Sequence, residues 1–249
     1  MKVLGIIPSR YGSSRFPGKP LAMLAGKPLV AWVVQAVKRA TSLDEVIVAT
    51  DDERIVAAVE RYGGRAVMTP SELPSGTDRI ACAAGDFAPD DILVNIQGDE
   101  PLIDPALIDA LVARLNEPSR RWDMATAVTP IRNERDLTAK SVVKVVLDRD
   151  DGALYFSRAT IPASRDTPED SATGMYVRHL GIYAYRGEFL RRYVAEEPCA
   201  LERIEKLEQL RALWMGAKIA CIRTQDEGVG VDTPEDAERV ARILAARNG

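Results

Sequence analysis

The chain has 249 residues, 46% hydrophobic and 28% charged, with a net charge of −4. That length buries a full core, and a composition without a basic tail or run argues against general nucleic-acid binding, so any phosphate-binding surface must be local. No apolar run approaches the roughly 20 residues of a membrane span, and no signal segment is read before the first strand. Its three cysteines, Cys82, Cys199 and Cys221, are far apart and form no CxxC, which argues against a zinc site and for a reducing, cytoplasmic setting.

In chain order, Val3–Pro8 is predicted as a buried strand that opens into a loop bearing Arg10, Arg15 and Lys19 among Gly12, Ser13, Ser14, Gly18 and two prolines. A helix follows over Pro28–Ala40, with Leu29, Trp32, Val33, Ala36 and Val37 on one side. Glu45–Thr50 is a strand, Asp51 begins a helix to about Tyr62, and Arg65–Met68 is a short strand. A helix starts near Thr77, Asp91–Ile96 is a fourth strand, and Asp104–Leu115 is helical. This alternation implies a parallel sheet with right-handed crossovers. The second half is richer in strands: Asp123–Pro130, Val142–Leu147, Ala153–Ser157, Arg178–Tyr185 and Ala217–Ile222. Residues 162–175 read as a mobile loop, Leu201–Trp214 as one helix striped by Leu201, Ile204, Leu207 and Leu210, and the end as an amphipathic helix.

A strand entering a basic, glycine-containing loop is how an α/β domain builds an anion site. The loop is not a Walker A loop, because Gly12 and Gly18-Lys19 are one residue too far apart and Pro20 stands where a metal-holding Ser or Thr would be. Gln97-Gly98-Asp99-Glu100 follows a parallel strand, where ligands bind; Asp99 there either caps a turn amide or holds a metal beside phosphates. In GVDTPED, Thr233, Pro234 and Asp236 are accounted for by a helix start, which leaves Asp232 outside it. His179 is the single histidine and shares a strand with Tyr183. Ser75 and Thr77 are cap candidates in SGTDR, Arg79 could be an exposed charge, and Glu208 and Gln209 could be a solvated face.

The motifs together carry a family resemblance. IIPSRYGSSRFPGKPL resembles the signature of the sugar-activating nucleotidyltransferases, specifically the cytidylyltransferases that make CMP-sugars. SGTDR (75–79), NIQGDEP (95–101), KVVLD (144–148), ALYFSRATIP (153–162), RHLGIY (178–183), LEQLR (207–211) and GVDTPED (230–236) extend the likeness along nearly the whole chain. RHLGIY and LYFSR are similar to the branch that activates 3-deoxy-manno-octulosonate (Kdo) for lipopolysaccharide, more than to the neuraminate branch. Ser9 and Phe16 depart from the usual alanine and leucine, and the stretch 138–143 lacks an Asn-Pro common before KVV.

The resemblance implies an α/β, Rossmann-like nucleotide-diphospho-sugar transferase fold: a mainly parallel sheet with helices on both faces and a β-rich insertion. It implies a single domain over residues 1–249, with about 123–190 carrying the sugar-binding and dimerisation part. CTP and Kdo are the implied substrates, Mg²⁺ the cofactor and a homodimer the assembly, with no nucleic acid or membrane as partner. Carried over residue by residue, the nucleotide falls to Pro8, Ser9, Arg10, Arg15, Lys19, Ser75, Gly76, Thr77, Arg79, Gln97 and Asp99. The sugar falls to Gln97, Arg158, His179, Tyr183, Glu208 and Gln209, with Arg158 on its carboxylate. Asp99 and Asp232 become metal ligands, and Arg10, Lys19, Asp99 and Asp232 the catalytic set. The implied reaction is in-line attack of the sugar's anomeric hydroxyl on the α-phosphate of CTP, without a covalent intermediate. Rival expectations are a cytidylyltransferase for 8-amino-Kdo or an N-acylneuraminate, a related glycosyltransferase, for which Gln97-Gly98-Asp99 lacks the first Asp of a DxD, and a non-catalytic CTP sensor.

Overall fold

A computed structural model describes residues 1–12, 16–165 and 175–248. Arg15 and most of the 162–175 loop lie outside the described residues. The chain divides into two compact units, Met1–Asp109 with Gly228–Gly249, and Ala110–Glu227.

The first unit opens with β1 (Val3–Ser9), followed by a small hairpin of β2 (Met23–Leu24) and β3 (Lys27–Pro28). Its two turn residues, Ala25 and Gly26, have φ of 43° and 84°, the positive pair that a tight two-residue hairpin turn requires. Then come α1 (Leu29–Val37), β4 (Glu45–Thr50), α2 (Glu53–Arg61), β5 (Arg65–Met68), α3 (Gly76–Ala84) and β6 (Ile92–Asn95). α4 (Pro105–Leu115) begins in this unit and ends in the second. β1 pairs in parallel with β4 on one side and β6 on the other, and β4 pairs with β5, giving the order β6-β1-β4-β5. The central strands are continuous apolar runs because both faces are covered: Ile6, Ile7, Val48, Ile92, Leu93 and Val94 are fully buried. The winding direction reverses between β1 and β6, the topological switch point where parallel α/β sheets bind ligands.

The second unit contains β7 (Met124–Pro130), α5 (Glu134–Thr138), β8 (Lys144–Leu147), β9 (Ala153–Ser157), β10 (Val177–Arg186), α6 (Gly187–Ala195), α7 (Ala200–Glu205), α8 (Gln209–Trp214) and β11 (Ile219–Arg223). β7 lies between parallel β11 and antiparallel β10, and β8 pairs antiparallel with both β10 and β9. The expected β-rich second half is present. The chain closes with α9 (Pro234–Asn248) in the first unit. None of the described helices is long and apolar enough to cross a membrane.

One expected element is corrected. Leu201–Trp214 is two helices, not one, because Lys206 adopts a left-handed conformation with φ 54°. Spacing at every third residue is compatible with two short helices as well as one long one. The break leaves Ile204 79% exposed while Leu207 and Leu210 are buried. The hairpin β2–β3, α5 and α6 carry no pattern that marked them in the sequence.

Candidate active site

The end of β1 and the end of β6 meet at the switch point. Ile96 N donates to Ile6 O at 3.0 Å. A Cβ on Gly98 would lie 2.7 Å from the backbone oxygen of Pro8, so only glycine lets the 97–99 segment pass this close to the cradle strand. From the other side, Val231 N donates to Asp99 O at 2.9 Å, bringing the 228–233 segment alongside. Thr233 Oγ1 accepts from Asp236 N at 3.2 Å, and Asp236 Oδ2 accepts from Asp232 N and Thr233 N. This is the capping box expected ahead of α9. It fixes the backbone of Asp232 while its side chain turns elsewhere.

That side chain meets Lys19. Lys19 Nζ donates to Asp99 Oδ2 at 2.7 Å and to Asp232 Oδ1 at 3.3 Å. Residues 80 and 213 positions from Lys19 in sequence thus converge on one cation. Gly18 precedes it with φ 71° and no side chain to spare: a Cβ would touch the Tyr11 hydroxyl at 3.2 Å. Tyr11 is itself fixed, its ring 3.6 Å from the Arg54 guanidinium carbon and its N–H on Asp51 Oδ1 at 3.3 Å. Arg10 is exposed at the mouth of the loop. Ser9 Oγ is buried without a hydrogen-bond partner among the described residues, as is Asn95 Oδ1 in β6. An orphaned hydroxyl beside a cationic loop is suited to a ligand oxygen.

The N-terminus of α3 sits against the same strand end, with a Cβ on Gly76 reaching Pro8 at 3.7 Å. Ser75 is the N-cap: its Oγ accepts from Asp78 N at 3.1 Å. Thr77 is buried. Arg79 is not the exposed charge that the sequence allowed. It is 1% exposed, donates to Thr69 Oγ1 and pairs with Asp51 Oδ2 at 3.5 Å. Burial pushes its pKa down, and Asp51 opposes that. It therefore braces the loop from beneath, a role that a helix-start motif does not signal. Gln97 is half-buried next to Gly98.

In the second unit, β10 bulges between Leu180 and Tyr183. Thr126 Oγ1 fills the bulge, donating toward Ile182 O at 2.7 Å and lying 2.9 Å from His179 Nε2. His179 and Tyr183 stack with ring centroids 5.2 Å apart, and Phe156 meets His179 edge-on, also at 5.2 Å. Burial pushes the His179 pKa down to about 3 and the Tyr183 pKa well up, so the imidazole is neutral and the phenol protonated at neutral pH. Tyr183 OH donates to Gln209 Oε1 at 3.2 Å. Gln209 is buried, not on a solvated face, and its Nε2 has no hydrogen-bond partner among the described residues. The backbone oxygen of Glu208 accepts from Tyr193 OH at 2.9 Å.

Arg158 is engaged within the unit: Nε donates to Glu205 O at 2.7 Å, and the two terminal nitrogens donate to Lys140 O and Lys206 O. The break between α7 and α8 is what turns the Glu205 and Lys206 carbonyls toward it. Sequence reasoning missed the neighbour that completes this arrangement. Lys144 is fully buried and donates to the carbonyls of Ala139, Val142 and Arg158 at 2.7–2.9 Å, with its pKa lowered chiefly by burial. A lysine at the start of KVVLD reads as surface by type, and only its full burial reveals it.

Two carboxylates held on one cation fit a divalent metal, which favours oxygen ligands and takes up its remaining positions with phosphates and water. A cationic loop and carboxylates at the switch point of a parallel sheet define a Rossmann-like site for a nucleotide polyphosphate. The family model for cytidylyltransferases matches residues 4–219. A 3-deoxy-manno-octulosonate cytidylyltransferase of Bdellovibrio bacteriovorus is 48% identical over 99% of this chain and 99% of its own. One of Syntrophobacter fumaroxidans is 50% identical over 98% of each chain. The structure of a CMP:2-keto-3-deoxy-manno-octonic acid synthetase complexed with CTP superposes with TM-score 0.91, at 38% identity over 99% of this chain and 100% of that one. A 4-diphosphocytidyl-2C-methyl-D-erythritol synthase from Anaerococcus prevotii shares the fold, with TM-score 0.63 at 15% identity over 98% of this chain and 99% of that one. The chain belongs to the cytidylyltransferase family, on the branch of the 3-deoxy-manno-octulosonate cytidylyltransferases.

Proposed function

We propose that the chain transfers the cytidylyl group of CTP to the anomeric hydroxyl of Kdo, releasing pyrophosphate and giving CMP-Kdo for lipopolysaccharide synthesis in the cytoplasm. The observation that carries this is the convergence of Lys19, Asp99 and Asp232 at the ends of β1 and β6. Arg10, Arg15 and Lys19 are the cations that balance the charge building on the leaving pyrophosphate. Pro8, Ser9 and the α3 start at Ser75, Gly76 and Thr77 receive the nucleoside, with Arg79 bracing them from below. Gln97, beside Gly98, is assigned to both the nucleotide and the sugar. His179, Tyr183 and Gln209 offer a neutral imidazole, a phenol and an amide Nε2 without a partner among the described residues to sugar hydroxyls. Glu208 adds a further acceptor, and Arg158, anchored by its three carbonyls, offers its remaining N–H groups to the sugar carboxylate.

Asp99 and Asp232 would hold Mg²⁺. When bound, it supplies Lewis acidity to lower the pKa of an attacking hydroxyl and to neutralise phosphate oxygens. The chain works as one nucleotidyltransferase domain and as a homodimer through the part spanning 123–190. Leu154 and Met175, exposed at 58% and 73%, support an apolar contact there. The test is pyrophosphate release from CTP and Kdo by Asp99→Asn and Asp232→Asn, with the fold checked by circular dichroism. Each variant loses turnover by at least about a hundredfold while staying folded; near-normal turnover in either would overturn the metal assignment.

A further inference from the structure

The two carboxylates proposed as metal ligands already share one cation supplied by the chain itself. Lys19 Nζ lies 2.7 Å from Asp99 and 3.3 Å from Asp232, and the lysine side chain is only 16% exposed. This is a built position. Gly18 N donates to Tyr11 O, Lys19 N to Phe16 O and Ala22 N to Lys19 O, all at 3.0–3.1 Å, so the root of the side chain is locked. Asp99 and Asp232 are tied to each other's segment by Val231 N on Asp99 O. Two such carboxylates repel unless a cation stands between them.

We propose that Lys19 is an internal counter-cation that keeps the carboxylate pair closed to metal until the triphosphate arrives. Phosphate oxygens compete for the ammonium; once they draw it off, the pair is open to a divalent cation. Nucleotide therefore enters before metal at this position, and the lysine that the pair releases is the one that then faces the phosphates. This rests on the reading of Asp99 and Asp232 as metal ligands.

The experiment is Mn²⁺ titration of the full chain without nucleotide, followed by paramagnetic resonance or calorimetry. Wild type is compared with Lys19→Met, with Lys19→Gln, and with Asp99→Asn in the Lys19→Met background. Both lysine variants bind Mn²⁺ about tenfold tighter than wild type, the scale on which a pair of partly exposed ion pairs competes. Mn²⁺ also raises their melting temperature more than it raises that of wild type, a readout that verifies folding at the same time. Equal affinity in wild type and both lysine variants, with Asp99→Asn still weakening binding, overturns the counter-cation role and leaves the metal ligands standing. If Asp99→Asn changes nothing either, the metal reading fails with it.

Discussion

At the residue scale, the site depends on close approaches that few side chains permit. Gly98 is the sharpest case, since an added methyl would overlap the Pro8 carbonyl at 2.7 Å. Neither partner is the end of a flexible side chain, so backbone must move. Gly98→Ala is expected to cost about 1–3 kcal/mol of stability by denaturant titration, and to raise KM for CTP by displacing Asp99. His179 makes a different prediction. Its folded pKa, about 3, lies below the ordinary 6.5 because of burial. A depressed pKa gives stability that is present above 6.5 and is lost as pH falls toward 3, because the unfolded chain takes the proton first. His179→Gln should flatten the pH dependence of the urea midpoint across that window and leave it unchanged above pH 7. An unchanged slope between pH 6.5 and 3 would contradict the buried, neutral imidazole.

At the scale of elements, the left-handed residue between α7 and α8 shapes the second unit, since the carbonyls of Glu205 and Lys206 reach Arg158 only through that break. Glycine discriminates between a broken and a continuous helix here. In a continuous helix Lys206→Gly costs about 1 kcal/mol; at φ 54° it is neutral or stabilising by up to about 1 kcal/mol. Thermal unfolding of the variant decides, and a melting temperature lowered by several degrees would contradict the break. The same segment shows where sequence reading reaches its end. β4 and β5 were legible to the residue: β4 as a short, largely buried apolar run closed by polar residues, and the half-exposed β5 because Gly63-Gly64 ends the helix just before it. The α9 start was legible because its capping box is local. The 201–214 break was not, because the side chain that engages its carbonyls, Arg158, lies 47 and 48 positions away in sequence.

At the scale of the whole molecule, the strand order of the first unit creates the switch point at which the nucleotide site is proposed, and the second is a β-rich half bearing His179, Tyr183 and Gln209. Asp99 and Asp232 could be selected from the sequence only through family likeness, because a carboxylate after a strand and a carboxylate before a helix each have an ordinary local explanation. Their meeting on Lys19 is a tertiary fact. Arg79 and Lys144, both buried cations, were unreadable for the same reason: residue type argues for the surface, and only the packing shows otherwise. The direct measurement is pyrophosphate release by the full chain with CTP and Mg²⁺, offered Kdo, 8-amino-Kdo or N-acetylneuraminate in turn, with the nucleotide product identified by mass. Stoichiometric pyrophosphate and CMP-Kdo are expected, fastest with Kdo; no release with Kdo, or faster release with either of the other sugars, would overturn the assignment of Kdo as the substrate.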